Sequence, residues 1–301
     1  MAYLLATILG SLVPMCVTAL VTMAITMIFK TSSTTNFAQG VISAFGAYVV
    51  ANTMAERGLS VYLALPVGIL VAVSMAVIID VVIFRNGRYV NAIGKQIITM
   101  GLISLIVGAT PLIFGLSTPS IGPFVSGSIS FVVEGENVVI TKNALVCVGI
   151  TAVVLAAIFL LLRFSKWGLS VRATASNEYV AGMMGINTHV ITAISWGLAG
   201  ALGALAATMN AGISTVGIYF MTNYQVNAFL AGILGGFATF YGPVVAALML
   251  PLANNLVVWF GNVIGKPELS SWSLVIVYAI ALVIIFLKPQ GLFGKKQIKK
   301  V

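Results

Sequence analysis

Apolar runs fill most of the chain, and its polar residues collect in the short stretches between them. A helix needs about 20 apolar residues to cross the hydrocarbon of a bilayer. Windows of that kind fall at residues 4–29, 36–55, 61–84, 96–114, 143–162, 190–209, 225–240, 244–261 and 272–287. The pattern predicts nine candidate spans. The seventh and ninth are short, and Tyr241, Gly242 and Pro243 alone separate the seventh from the eighth, so eight spans with one broken or re-entrant helix fit as well. Glycine and proline are tolerated at such breaks where protein or a cavity surrounds the freed backbone groups. The expected fold is an all-α polytopic membrane protein of about eight to nine transmembrane helices, with room for broken helices and inverted repeats, in one domain over residues 1–301.

Two connections are long enough to carry work. Residues 115–142 hold Pro119, Pro123 and alternating β-branched residues, which predicts an external loop with a hairpin around Glu134, Gly135, Glu136 and Asn137. Residues 163–189 form the largest internal loop. Its stretch from Val171 to Met184 has no proline and lies between Gly168 and Gly185, which predicts a short helix parallel to the membrane.

Within the chain, the stretch "KTSSTTNFAQG" (residues 30–40) puts hydroxyls and amides between two apolar runs. Residues 31–35 are expected to be a connection whose hydroxyls can cap a helix. From Asn36 onward, Asn36, Gln39, Gly40, Ser43 and Ala47 fall at offsets that share one helical face, while Phe37, Val41, Phe45 and Tyr48 face elsewhere. Against lipid, each unsatisfied polar group on that face would cost several kcal/mol, so it should meet protein or a water-filled cavity. A second polar entry, "MTNYQVNAF" (residues 221–229), opens the seventh span. It shares Thr-Asn-aromatic with the first, at Thr35–Phe37 and Thr222–Tyr224, and the two enter from opposite sides, the arrangement of inverted repeats around a path near the midplane. Small residues at four-residue spacing (Gly197 and Ala201; Gly200 and Ala204; Ala199, Gly203 and Ala207; Ala228, Gly232 and Gly236) allow either close helix packing or room for a solute.

Composition excludes the soluble alternatives. Only 7% of the 301 residues are charged and 60% are hydrophobic, whereas soluble domains carry about 25% charged residues. The first run, from Tyr3 to Phe29, exceeds a signal-peptide core of about 7 to 15 residues and has no basic residue before it, so it reads as a retained span. A net charge of +9 could suggest nucleic acid, but its placement argues for a membrane instead. Alternating the spans puts Lys30, Arg85, Arg88, Lys95, Arg163, Lys166, Arg172, Lys288, Lys295, Lys296, Lys299 and Lys300 on one side, 12 of the 15 basic residues. Arg57, Lys142 and Lys266 fall on the other, with Glu56, Glu134, Glu136 and Glu268. The positive-inside rule then makes the first side cytoplasmic, with the N-terminus outside and the C-terminus inside.

Little in the chain suggests chemistry. His189 is the single histidine and sits at a span edge, where snorkelling or capping suffices, and without a cysteine or carboxylate cluster it makes no metal site. No GxxxxGK[ST] phosphate loop occurs, so the chain does not bind ATP by that route. Asp80 is the one acid deep in a span and is expected to pair with Arg85, Arg88 or a neighbouring helix, which disfavours a proton relay. Nothing in the sequence brings Cys16 and Cys147 together, and both read as small buried hydrophobes. No catalytic set, cofactor, metal or nucleic-acid partner is expected.

The polar stretches also carry a family resemblance. "TNFAQGVISAFGAYV", "IITMGLISLI", "GLSVRATASNEYVAGMMGIN" and "NAFLAGILGGFATFYGPVVA" occur in the order found in LivH-type permeases, and the match covers most of the chain. These permeases are membrane subunits of ABC importers for branched-chain amino acids and related small solutes. The resemblance implies a single permease domain in the cell membrane that works with a second, LivM-like permease subunit, two cytoplasmic ATP-binding subunits and an extracytoplasmic solute-binding protein. It also implies that Arg172, Ala173, Ser176, Asn177, Gly185, Ile186 and Asn187 belong to a segment coupling the permease to an ATPase. Asn36, Gln39, Gly40, Ser43 and Asn227 would line the translocation path. The chain departs from the family at Asn227, where a lysine is usual, in the run "PVVAALMLPLANN", and at Asn254 or Asn255, where an acid is common. These departures bear on the solute rather than on the importer reading. A self-contained channel or facilitator built from the same spans is the alternative.

Overall fold

All nine apolar windows coincide with helices in the computed structural model, which describes residues 2–87 and 90–294. Arg88, Lys295, Lys296, Lys299 and Lys300, placed above on the cytoplasmic side, lie outside the described residues. In chain order the helices are α1 (Ala2–Gly10), α2 (Leu12–Ser32), α3 (Gln39–Arg57) and α4 (Val61–Ile78), the last continued by a π-helical turn (Ile79–Phe84). Next come α5 (Ala92–Phe114), strands β1 (Ser128–Val133) and β2 (Glu136–Thr141), α6 (Lys142–Phe164), α7 (Lys166–Ser176) and α8 (Glu178–Met183). The chain finishes with α9 (Thr188–Ala211), α10 (Thr222–Gly235), α11 (Tyr241–Val263) and α12 (Leu269–Leu287). Among the described residues seven helical stretches are long and apolar enough to span a membrane: α1 with α2, α4 with its π turn, α5, α6, α9, α11 and α12. The chain is a multi-pass membrane protein.

The two windows that fall short are α3, which ends in Glu56 and Arg57, and α10, whose 14 residues reach only about 21 Å. α2 is the central helix. From Val17 to Ile28 it is buried on every side, packed against α6, α9, α10 and α11. Its threonines are satisfied within the helix, because Thr18, Thr22, Thr26 and Thr31 each donate to the carbonyl four residues back at 2.7–2.9 Å. α9 is the second core element and packs on α2, α3 and α4. Of the two readings of its small residues, packing is the one seen: a Cβ on Gly200 would sit 2.5 Å from the Ala72 carbonyl oxygen of α4. The outer faces of α5 and α12 instead expose large apolar side chains such as Leu112 and Phe286.

The hairpin forms where expected. β1 and β2 pair antiparallel with Val133 opposite Glu136, and Glu134 and Gly135 take positive φ of 52° and 82° at the two-residue turn, as a type I′ hairpin requires.

Several local expectations are corrected. The internal helix expected over Val171–Met184 is two helices, because Asn177 adopts an extended backbone and caps α8 by accepting from the Val180 N–H at 3.0 Å. The break after the seventh window falls at residues 236–240 rather than at Tyr241–Pro243. Gly236, at φ 82°, ends α10, whereas Pro243 sits in the first turn of α11, where a missing N–H leaves nothing unpaired. Two contacts hold that break: Lys30 Nζ donates to the Ala238 carbonyl at 2.6 Å, and the Leu292 N–H to the Leu234 carbonyl at 2.6 Å. Cys16 on α2 and Cys147 on α6 lie in the α2–α6 packing, Cys16 beside Thr151, and both are buried free thiols.

Candidate translocation site

The stretch that leads into α3 behaves differently from its sequence reading. α2 runs on through Ser32, and the hydroxyls of Thr31 and Ser32 bond back to Met27 and Ile28 rather than capping α3. Ser33 ends α2 in the left-handed region, and α3 begins only at Gln39. Asn36 therefore lies in irregular chain before the helix, not on its face.

This irregular segment is deep in the protein. Gln39 Nε2 donates to the Ala199 carbonyl at 2.9 Å, and Ala199 lies midway along α9, about 16 Å from its start. Non-helical backbone at such depth must be satisfied by protein. Asn36 Oδ1 accepts from the Ala38 N–H at 3.0 Å, and its Nδ2 donates to Gln39 Oε1 at 3.2 Å. The Phe37 N–H donates to Thr99 Oγ1 of α5 at 3.3 Å. Ser43 donates to the Gln39 carbonyl at 2.7 Å and lies against Gly203, whose missing side chain leaves room for Ser43 and the Gln39 amide. Asn36, Gln39 and Ser43 are all fully enclosed.

Two further backbone groups are met from 185 and 188 residues away. Gln225, in the first turn of α10, accepts from the Gly40 N–H and donates to the Phe37 carbonyl. A Cβ on Gly40 would collide with that amide, so glycine is required here by the approach of α10. The two Thr-Asn-aromatic entries thus meet: Gln225 spans Phe37 and Gly40, and the Phe37 and Phe229 rings lie 5.0 Å apart. Gln225 and Phe229 of α10 both lie against the stretch from Phe37 to Gly40 that opens α3.

Of the expected lining residues, the structure brings Asn36, Gln39, Gly40 and Ser43 into one cluster and leaves Asn227 apart. Asn227 accepts from the Tyr278 hydroxyl at 2.8 Å and borders a cavity of about 260 Å³ on the other side of α10, together with Asn223, Tyr224, Asn254 and Asn255. The departures at Asn227 and at Asn254 or Asn255 therefore share one uncharged, amide-lined space. Sequence reading missed Gln225 and Thr99. The usable signal was the glutamine that closely follows each Thr-Asn-aromatic, Gln39 and Gln225.

The expected coupling residues lie at the opposite end of the molecule from the hairpin. Gly168 packs α7 on the Leu161 and Leu162 carbonyls, and Arg172 turns back to donate to the Leu162 carbonyl at the end of α6. Asn187 caps α9 by accepting from the Val190 N–H at 3.3 Å. Gly185, at φ 84°, lets the Ile186 N–H reach the Ala181 carbonyl at 3.1 Å and closes α8. Ser176 and Asn177 are exposed and Ala173 is half-buried. Beside them α8 shows Tyr179 77% and Met183 73% exposed, two apolar groups that sequence reading did not single out.

The non-helical entry to α3, held by buried amides at the depth of mid-α9 and met there by the first half of α10, within a bundle of seven spanning stretches, is the kind of broken backbone that lines the path of a solute permease. Comparison with known proteins narrows this class. Residues 7–285 match the family described as "Branched-chain amino acid transport system / permease component", and the chain belongs to that family. It is 26% identical to the high-affinity branched-chain amino acid transport system permease protein BraD of Pseudomonas aeruginosa, over 94% of this chain and 93% of that one. It is 25% identical to the permease protein LivH of Escherichia coli K12 over 94% and 93% of the two chains. To a probable LivH of Methanocaldococcus jannaschii it is 24% identical, over 91% and 88%. Its fold is similar to that of PsaBC from Streptococcus pneumoniae in complex with Fab, with a TM-score of 0.51 at 16% identity, over 93% of this chain and 91% of that one.

Proposed function

We propose that this chain is the permease subunit of an ABC importer in the cell membrane, moving branched-chain amino acids or a related small solute inward. The observation that carries the reading is the junction of α3 and α10, where buried Asn36, Gln39 and Ser43 and the Gly40–Gln225 contact hold the start of α10 against the non-helical entry to α3. Beside this junction Phe37, Gln225 and Phe229 are half-buried and Val226 is exposed, leaving a face with both amide and apolar character. That mixture suits a solute with a polar head and an aliphatic body. The path runs along this face, with Asn36, Gln39, Ser43 and the buried Gly40 as its support and Asn227 in a neighbouring polar space. A second, LivM-like permease subunit completes it.

Energy comes from two cytoplasmic ATP-binding subunits, one of which docks on α7 and α8, where Arg172, Ala173, Ser176, Asn177, Gly185, Ile186 and Asn187 form the framework and Tyr179 offers apolar contact. An extracytoplasmic binding protein delivers the solute. The N-terminus is outside and the C-terminus cytoplasmic, and lipid covers the apolar faces of α5 and α12. Purification from a native host tests the assembly: a second permease and an ATPase should accompany the chain, and deleting either should abolish uptake. Solute flux through liposomes holding this chain alone, without ATP, would establish the channel alternative instead.

A further inference from the structure

A second cavity, of about 740 Å³, opens beside α8, between that helix, the π-helical end of α4 and the starts of α5 and α9. Its floor is Asp80, 4% exposed, one oxygen of which accepts from Thr192 Oγ1 of α9 at 3.3 Å. This bears out the expectation that Asp80 pairs with a neighbouring helix, and Arg85 is the cation that acts on it from the same chain segment; one hydroxyl bond leaves the carboxylate with acceptor capacity toward the cavity. The π-helical turn carries Asp80 and Phe84 and leads into Arg85, so all three border the cavity. Lys95 of α5 and Glu178 of α8 face it from two other sides, and His189 closes the rim.

The wall thus holds two carboxylates, two permanent cations and an apolar patch of Phe84 and Met183. A simple anion would meet Asp80 and Glu178, and a simple cation would meet Arg85 and Lys95. A zwitterion with an apolar side chain matches both signs at once: its ammonium on Asp80, its carboxylate on Lys95 with Arg85 beside it through charge-assisted bonds, its side chain on Phe84 and Met183. The volume is within the range of about 300–1,000 Å³ usual for small-molecule sites.

We propose that this cavity binds a zwitterionic α-amino acid from the cytoplasm. Such a ligand links α8 to α4 and α9, and so restrains the segment on which the ATPase docks. The consequence, which rests on the importer reading, is that solute accumulated inside the cell slows its own import.

Binding is tested on the full chain alone, in phosphatidylglycerol nanodiscs, by calorimetric titration with L-leucine. Saturable binding is expected, with 3-methylbutylamine and 4-methylpentanoate, which each lack one charge, weaker by about tenfold, as one lost charge contact implies. Asp80→Asn should weaken leucine by a similar factor. Lys95→Gln, at a half-buried position that tolerates the change, should do the same and keeps the test valid if Asp80→Asn fails to fold. No binding by the wild type, equal binding by the single-charge analogues, or binding unchanged in Lys95→Gln overturns the assignment. So does loss of binding in Gln225→Leu with retention in Lys95→Gln, which would place leucine at the α3–α10 junction. Adding phosphatidylethanolamine separates a lipid headgroup from the free amino acid: displacement of leucine by that lipid makes the headgroup the occupant and overturns the proposal. None of these results depends on the ATPase, so failure here leaves the co-purification test of the importer untouched. In the reconstituted assembly, internal leucine should slow ATP hydrolysis, and Lys95→Gln should relieve that inhibition.

Discussion

Gln225 shows how much one side chain can decide. It supplies both a donor to Phe37 and an acceptor to Gly40, at a break where no helix can satisfy them. Gln225→Leu leaves both backbone groups unpaired in an apolar interior, a penalty of about 1–3 kcal/mol for each group. The variant should melt several degrees lower in detergent and lose uptake, whereas Gln225→Glu, which keeps the acceptor, should be milder. Gly40→Ala tests the same contact from the other side and should abolish uptake, because its methyl takes the space of the Gln225 amide. Gln39→Leu removes the bonds to Ala199 and Asn36 from a fully enclosed site. Uptake should fall with assembly preserved if the cluster shapes the path; loss of the assembled protein would assign Gln39 to packing alone. The polarity of Asn36, Gln39 and Ser43 was legible from their spacing, but their partners were not. Ala199 and Gln225 lie 160 and 185 residues beyond the groups they meet, and periodicity carries no information about contacts so distant.

Among the elements, α3, α10 and the α7–α8 pair define what the bundle does. Their boundaries follow short-range chemistry that a window of apolar residues overlooks: a cap at Asn177, a left-handed glycine at Gly236, a left-handed serine at Ser33. Asn177→Ala removes the α8 cap, worth about 1 kcal/mol, and should loosen α8 in hydrogen exchange while the spans stay protected. Arg172→Glu or Asn177→Glu should uncouple ATP hydrolysis from transport with membrane insertion normal; unchanged uptake would remove these residues from the coupling segment. The small residues of α9 give the opposite result. Gly200→Leu forces a branched side chain against the Ala72 backbone, an overpacking strain of about 1–3 kcal/mol or more, and little folded protein should be recovered.

Across the whole molecule, the connectivity of α6 and α9 carries the chain between two ends, one with the β1–β2 hairpin and the other with α7 and α8. Cysteines introduced at Glu136 and Ser176 should therefore react with a membrane-impermeant maleimide from opposite sides, the first in intact cells and the second only after permeabilisation. The native Cys16 and Cys147 are buried and should stay silent. Labelling of both positions in intact cells would overturn the orientation. Hydrophobicity is a local property of the chain, and lipid rewards it wherever it occurs, so the sequence alone determined the membrane class, the nine helical windows and the hairpin. Which windows are interrupted, and what meets at the interruption, depends on backbone groups that must find partners away from water. Only the tertiary structure decides that the two polar entries face each other through Gln225, that Asn227 lies apart beside Asn254, and that Asp80 ends at the floor of a mixed-charge cavity.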